Sequence, residues 1–487
     1  MNRYLAIGAA AVALIVAVVL FRTFTISPPQ PLSTGTPPPS VNSLDVAKHL
    51  AQAVRFQTVS YGGGAHEAEK FAALEQMRTW LATTYPNFHR AATREVMDHS
   101  LLFTWKGRNA SLPPILLMAH QDVVPVVPGT EHDWSHPPFA GDIASGFVWG
   151  RGSIDDKGSL IAILDAAERL AAQHFTPART IMFAFGQDEE VGGGKGNKKM
   201  AAELARRGVH FAWVLDEGGA IMDEPFPGVQ QPMAVIAVAE KGYLSLELTA
   251  HGQGGHSSRP TRDLAIGRLS RAVLNVVDHP FSSGLDDIQS EKLSAMAPYM
   301  PLGQRLLLSN LWLLGPFATH LMENVPESAA RLHTTISPTM LSAGVKDNVL
   351  PPEAHATINF RLHQRDTVES AIDHVKKAIN DPKVDVRALT ETQSEASKVA
   401  DLKGPHGQFL VRVVQESYNG IPVAPDITTG ATDSRHYLPI ADEVFRLDVF
   451  HFGPDDLGRV HGTNERLAVG DLGPAVGFYM RLMQEVR

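Results

Sequence analysis

The sequence predicts an α/β fold, a mostly parallel sheet with helices, interrupted by a smaller α+β domain of ferredoxin-like order. Three observations predict it. From about 45 to 241, short apolar runs alternate with helical patterns, as parallel βαβ units require. After Lys241 the hydrophobic period changes to two, the mark of half-exposed antiparallel strands. Near 405 the first pattern resumes.

The elements follow in order. Tyr4 to Phe21 is an uncharged apolar run flanked by Arg3 and Arg22, just long enough as a helix to cross a bilayer. A cleaved signal peptide is the competing reading, but no small-x-small site follows. Arg3 favours an inside N-terminus, which places the body outside the cytoplasm, periplasmic in a bacterial envelope. Pro28 to Ser40 (PPQPLSTGTPPPS) has no core-forming pattern and reads as an extended spacer. Ile115–Ala119, Thr180–Phe185 and Phe211–Leu215 are continuous apolar runs, as strands buried on both faces are. Gly158–Ala172 and Lys198–Arg207 read as helices between them. Beyond Lys241, Tyr243–Ala250, Arg331–Ile336, Ala356–Leu362 and Val384–Leu389 read as strands, and Asp263–Val277 and Thr367–Ile379 as helices. Their order is β-α-β-β-α-β. The stretch 280–330 has no clear pattern.

Composition narrows the function. The formal net charge is -9 with no basic block, which argues against nucleic acid as a partner. There is no cysteine, so any metal site must be built from His, Asp and Glu. Such residues cluster where the apolar strands end: His120 and Asp122 after the first, the acids of GRGSIDDKG (150–158) in the next loop, Glu189 and Glu190 after the second, and Asp216 and Glu217 after the third. His461 lies in VHGTNE. Open α/β sheets bind ligands at that edge. Carboxylates crowded together repel one another, and a pair of divalent cations removes that cost.

The chain resembles the M20 metallopeptidases, the group of aminoacylase-1, carboxypeptidase S and bacterial deacylases, and within it the carboxypeptidase S and PM20D1-like branch. The resemblance covers about 45–487. It rests on AHQDVVPV (119–126), WSHPPF (134–139), GRGSIDDKG, GQDEEVGG (186–193), LDEGG (215–219), GGHSS (254–258), GVKDNVLPP (344–352), ATDSR (431–435) and VHGTNE (460–465). It implies a zinc-peptidase catalytic domain in two parts, 41–241 and 392–487, around a lid and dimerisation domain at 242–391. Before these stand the membrane anchor at 1–24 and the linker at 25–40.

The resemblance also implies roles. Two zinc ions per subunit are expected, with cobalt or manganese as substitutes. His120 and Asp216 would hold one, Glu190 and His461 the other, and Asp155 would bridge them across a cis peptide to Asp156. Glu217 is the alternate to Asp216. Asp122 would orient His120. Glu189 would be the general base, taking a proton from water and giving it to the leaving amine. His256 would reach a partner subunit's site and stabilise the oxyanion, with Asn348 helping, which implies a homodimer. Arg435 would clamp the substrate carboxylate, unless it is spent on an ion pair with Asp433. The implied reaction is hydrolysis of the amide bond to a residue with a free carboxylate, in a peptide or an N-acyl-amino acid. Synthesis of N-fatty-acyl-amino acids by reversal, an aminopeptidase of related fold and a non-catalytic receptor are the alternatives. The complete ligand set opposes the last.

Overall fold

The computed structural model describes residues 2–28, 39–225, 229, 231–389 and 393–487. Most of the 25–40 linker and the junction at 391–392 therefore lie outside the described residues.

The three apolar runs form the strands Ile115–His120, Ile181–Gly186 and Phe211–Asp216, and every residue in them is buried. The reason is visible face by face. Ile115, Leu117 and Ala119 pack with Leu160, Ile163 and Leu164 of the helix Lys157–Ala172. Leu116 and Met118 pack with Met200 and Leu204 of the helix Asn197–Arg206 on the other face. Successive side chains on a strand point to opposite faces, so a sheet covered twice needs apolar residues at both parities.

These strands are the centre of a ten-stranded mixed sheet. Ile181–Gly186, Ile115–His120, Phe211–Asp216 and Ala441–Arg446 lie side by side and parallel. Antiparallel strands Thr93–Met97 and Ser100–Trp105 extend one side. Met233–Glu240 continues the other, antiparallel to Ala441–Arg446 and parallel to Val423–Thr428.

A separate four-stranded antiparallel sheet is built from Gly242–His251, Thr335–Ala343, Glu353–Leu362 and Val384–Ala388. With the helices Ala265–Asp278 and Val368–Ile379 the chain order is β-α-β-β-α-β, and the first and third strands lie at the centre. Gly242–His251 pairs along its whole length with Glu353–Leu362. The strand read at Arg331–Ile336 is displaced: it runs Thr335–Ala343, an edge strand mostly exposed and bulged between Pro338 and Met340. Arg331 instead forms a turn and pairs with Asp426 at 3.1 Å.

The chain leaves the large sheet at Glu240 and returns at Ser397. These two points touch: the Ser397 N–H donates to the Glu240 carbonyl at 2.9 Å, and the Ser397 hydroxyl accepts from the Glu240 N–H at 2.8 Å. Tyr243 and Ser394 exchange backbone hydrogen bonds one step further out, at 2.9 and 2.8 Å.

The unpatterned stretch is helical, at Asp287–Met296, Leu302–Ser309, Leu311–Glu323 and Pro326–Ala329. Its buried side joins Met233, Val235 and Ala424 of the large sheet through Leu293, Met296, Met300 and Leu308. Asp426, buried, accepts from Gln289, Lys292 and Arg331 and fastens the two. At the N-terminus, Asn2–Thr25 is one helix, and Tyr4–Thr25 has a mean hydropathy of 2.7. It is long and apolar enough to cross a membrane and is consistent with a signal sequence or an anchor.

Candidate metal centre

The central parallel strands deliver their acids and histidine to one edge of the sheet. His120 ends its own strand, Glu189 and Glu190 stand in a short turn after Gly186, and Asp216 and Glu217 follow Val214 and Leu215. That turn closes through Gly193, at φ 67°, where a Cβ would meet a carboxylate oxygen of Asp433 at 2.0 Å. Asp155 and Asp156 stand before the helix Lys157–Ala172, joined by a cis peptide.

Asp155 lies between two histidines. One of its oxygens is 2.8 Å from His120 Nε2, the other 3.0 Å from His461 Nε2. His461 Nε2 is also 3.1 Å from Glu190 Oε2. Glu217 Oε1 is 3.6 Å from His120 Nε2. Two groups of mutually close ligand atoms result, His120–Asp155–Glu190 and His120–Asp156–Glu217. Ligands about 2.0–2.1 Å from one tetrahedral zinc stand roughly 3.3 Å apart, so these spacings suit a common cation. Glu190 Oε1 and Asp156 Oδ1 are buried without a hydrogen-bond partner, acceptors of the kind a cation takes up. The residues fit divalent metal.

Asp216 is placed differently from the first choice made on sequence. Its Oδ2 accepts from the Ser434 N–H at 2.9 Å, and it belongs to neither ligand group. The alternate, Glu217, faces His120 instead. The strand ends at Asp216, so the pleat turns the two neighbours opposite ways.

Asp122 is fully buried and works through more than the imidazole. His120 Nδ1 is 2.9 Å from the Asp122 carbonyl oxygen and 3.5 Å from its carboxylate. The carboxylate accepts from the backbone N–H groups of Glu189 and Glu190, at 3.1 and 3.3 Å, and from the Ser60 hydroxyl at 2.6 Å. One buried acid thus fixes the expected base and a candidate ligand relative to His120.

The electrostatics follow from crowding. Burial raises the Glu189 carboxyl well above its usual range, and Asp433, Glu190 and Asp155 add to this against His120. Burial and the charge of Asp155 push Glu190 up to about 7. Burial raises Glu217 too, again with Asp155. Asp155 itself goes down: burial opposes, but hydrogen bonds to His120 and His461 outweigh it. A divalent cation would hold all these acids ionised.

Sequence reading missed the brace between two motifs. Glu465 is fully buried, and one oxygen accepts from Arg151 Nη1 at 2.6 Å. The other accepts from the N–H groups of Ile154 and Asp155, at 2.9 and 3.2 Å. Arg151 Nη2 in turn donates to the carbonyls of His461 and Gly462. Both residues stood in quoted motifs, but nothing in either motif named the partner.

Beside the cluster opens a cavity of about 950 Å³, lined by Glu189, Glu190, His461, Arg435, Arg361 and Tyr243 among others. Arg435 donates to the Gly192 carbonyl at 2.8 Å. Asp433 takes its hydrogen bond from Asn197. Arg361, stacked 4.7 Å from the Tyr243 ring, has a buried Nη1 with no partner. It lies in an ordinary alternating strand, which is why no motif marked it. His256 and Asn348 are exposed on a small ribbon of the second sheet's domain, where Ser257 N–H donates to the Asn348 carbonyl at 3.1 Å. Neither lines the cavity or joins the cluster within one chain.

A cluster of candidate nitrogen and oxygen ligands at the carboxyl edge of an α/β sheet is a site for divalent metal, and metal-dependent hydrolases are one class built this way. Residues 116–485 match the model for peptidase family M20/M25/M40, and the chain belongs to that family. It is 36% identical over 452 residues to a probable carboxypeptidase S-like 2 of Dictyostelium discoideum, covering 91% of this chain and 86% of that protein. It is 34% identical over 483 residues to the N-fatty-acyl-amino acid synthase/hydrolase PM20D1 of Xenopus tropicalis, covering 96% and 92%. The M20 family metallo-carboxypeptidase Sso-CP2 from Sulfolobus solfataricus shares the fold at a TM-score of 0.62 and 16% identity, over 90% of this chain and 98% of that one.

Proposed function

We propose that this chain is a two-zinc amidohydrolase that cleaves the amide bond to a residue with a free carboxylate, in peptides or N-acyl-amino acids. The observation that carries it is Asp155 set between His120 and His461, with Glu190 and Glu217 alongside and Glu189 lining the cavity. Bound divalent ions supply a polarised carbonyl and a water of lowered pKa. His120, Asp155, Glu190, His461 and Glu217 would hold them, Glu217 in place of Asp216. Glu189 takes the proton from the attacking water and delivers it to the leaving amine. Arg435 and Arg361, which line the cavity, bind the substrate carboxylate. Their forks suit a carboxylate bidentately.

His256 and Asn348 would complete the site of a second copy in a homodimer. Their exposure and the open edge strand Thr335–Ala343 support this. The N-terminal helix would anchor the body on the extracytoplasmic side. The fatty-acyl reading, hydrolysis or its reversal, gains support from the 34% likeness to an N-fatty-acyl-amino acid synthase/hydrolase along nearly the whole chain.

The test is metal content and turnover of the full chain in detergent, on a peptide panel and an N-acyl-amino-acid panel, beside Glu189→Gln. Near two zinc per chain in both proteins, with amino acid released only by the wild type, is expected. Absence of bound divalent metal would sink the proposal. Metal without turnover of either panel would remove the substrate class.

A further inference from the structure

The helix Leu311–Glu323 carries apolar residues on both sides. Leu311 and Met322 turn inward onto the Met300–Leu308 cluster, and Ala318 is buried. Trp312, Leu313, Pro316, Phe317 and Leu321 are exposed, Trp312 by 54% and Phe317 by 56%. At 100° per residue these five cover one half of the helix, with His320 and Glu323 among them. A helix with large apolar residues on both sides belongs at the boundary of a core or of lipid, and among the described residues none covers this half.

Where it lies decides between those occupants. The last turns of the N-terminal apolar helix are fixed to the start of this one. Arg22 Nε donates to the Ser309 carbonyl at 2.9 Å. Asn310 Nδ2 donates to the Thr23 hydroxyl at 3.1 Å and the Val19 carbonyl at 3.3 Å. Thr23 and Asn310 are both fully buried in this joint. The membrane-length helix therefore ends where the exposed apolar face begins. A cavity of about 680 Å³ opens beside this joint, bordered by Arg22, Ser294, Thr319, Leu311 and Trp312 among others.

We propose that the exposed face of Leu311–Glu323 seats in the outer interface of the bilayer, beside the spanning helix, so that the body is held against the lipid surface rather than swinging from its linker. Tryptophan suits that level, with an apolar body and an N–H for the wet side. The inference rests on the proposed anchoring by the N-terminal helix as well as on the joint and the face, and holds whatever amide the centre cleaves.

The test uses the full chain in phosphatidylcholine vesicles, with and without lipid brominated on the acyl chain, and reads quenching of tryptophan emission. Wild type should be quenched, and Trp312→Phe should lose most of that quenching, since the other five tryptophans are less exposed or buried. A second variant, Phe317→Ser with Leu321→Ser, should also lower it while leaving the melting temperature and turnover of a water-soluble substrate unchanged. Quenching equal in wild type and Trp312→Phe overturns the proposal. So does unquenched Trp312 with a dimer in detergent that the serine variant dissociates, which would make the face a contact between copies.

Discussion

Replacing Glu465 by alanine should damage the metal centre without touching a ligand. The substitution deletes the acceptor of three hydrogen bonds, one from Arg151 and one each from the N–H groups of Ile154 and Asp155. It also leaves the Arg151 guanidinium, only 2% exposed, without its counter-charge. Breaking one side of a buried ion pair costs about 3–5 kcal/mol. The three bonds taken singly would sum to about 4.5–9 kcal/mol at the usual 1.5–3 kcal/mol for a charged partner, but they share one carboxylate and do not add. The lower range stands. With an unfolding entropy of about 2.1 cal/mol/K per residue, for a body of this size that is a fall of about 3–5 °C in melting temperature. The ligand loops lose more than stability, because Arg151 ties down the carbonyl of His461 while Glu465 ties down the N–H of Asp155. Metal affinity should drop about 10–100-fold, as when other groups behind metal ligands are removed. The assay is zinc retention against a competing chelator, with melting followed in parallel. Glu465→Gln with Arg151→Met, which removes both charges, should recover much of the melting temperature and little of the affinity. Unchanged zinc retention in Glu465→Ala would refute the reasoning, since the two loops would then be fixed by something else.

Two further outcomes follow from the same geometry. Glu217→Gln should weaken zinc retention by about 10–100-fold, while Asp216→Asn should mainly lower the melting temperature, as its carboxylate receives a backbone N–H rather than facing His120; equal metal loss in both would reverse the assignment. The chelated protein should lose stability from pH 4 to 8: burial raises Asp433 to about 8 and Asp448 to about 7, so the folded state keeps protons that the unfolded chain has released. That stability is full below the unfolded value near 4 and gone above the folded values, and restoring zinc should flatten the slope, read as melting temperature against pH.

The strands of the large sheet were legible because both their faces are buried, which leaves an unbroken apolar run. The edge strand Thr335–Ala343 was not: it is exposed, contains Pro338 and carries a bulge, so neither period nor β-branching marks it. The helices from 287 to 329 escaped for the opposite reason. Leu311–Glu323 is apolar on two sides and carries Pro316 in its interior, so neither a clear amphipathic stripe nor an unbroken helix-forming run marks it. At the site, residue types and strand ends pointed to the clusters at 120–122, 150–158, 187–190 and 216–217, and the family resemblance singled out His120, Asp155, Glu190 and His461, which the fold gathers. The choice between Asp216 and Glu217 depends on where a pleat stops, a matter of one residue that spacing does not resolve. Arg361 and the Arg151–Glu465 brace join segments far apart in sequence, and such pairings are written in no single motif.

The neighbouring exit and return points at Glu240 and Ser397 have a consequence for construction. Some 150 residues run between the two crossings, yet the crossings are hydrogen-bonded to each other and stand only about 5 Å apart, as paired strands do. The outer sheet is thus a head carried on paired stalks, exchangeable for the head of a relative or traded between two copies with the ligand-bearing strand ends left in place. Bare excision is ruled out, because the helices Asp287–Met296 and Leu302–Ser309 leave with it and would uncover Met233, Val235 and Ala424 and strip Asp426 of its donors.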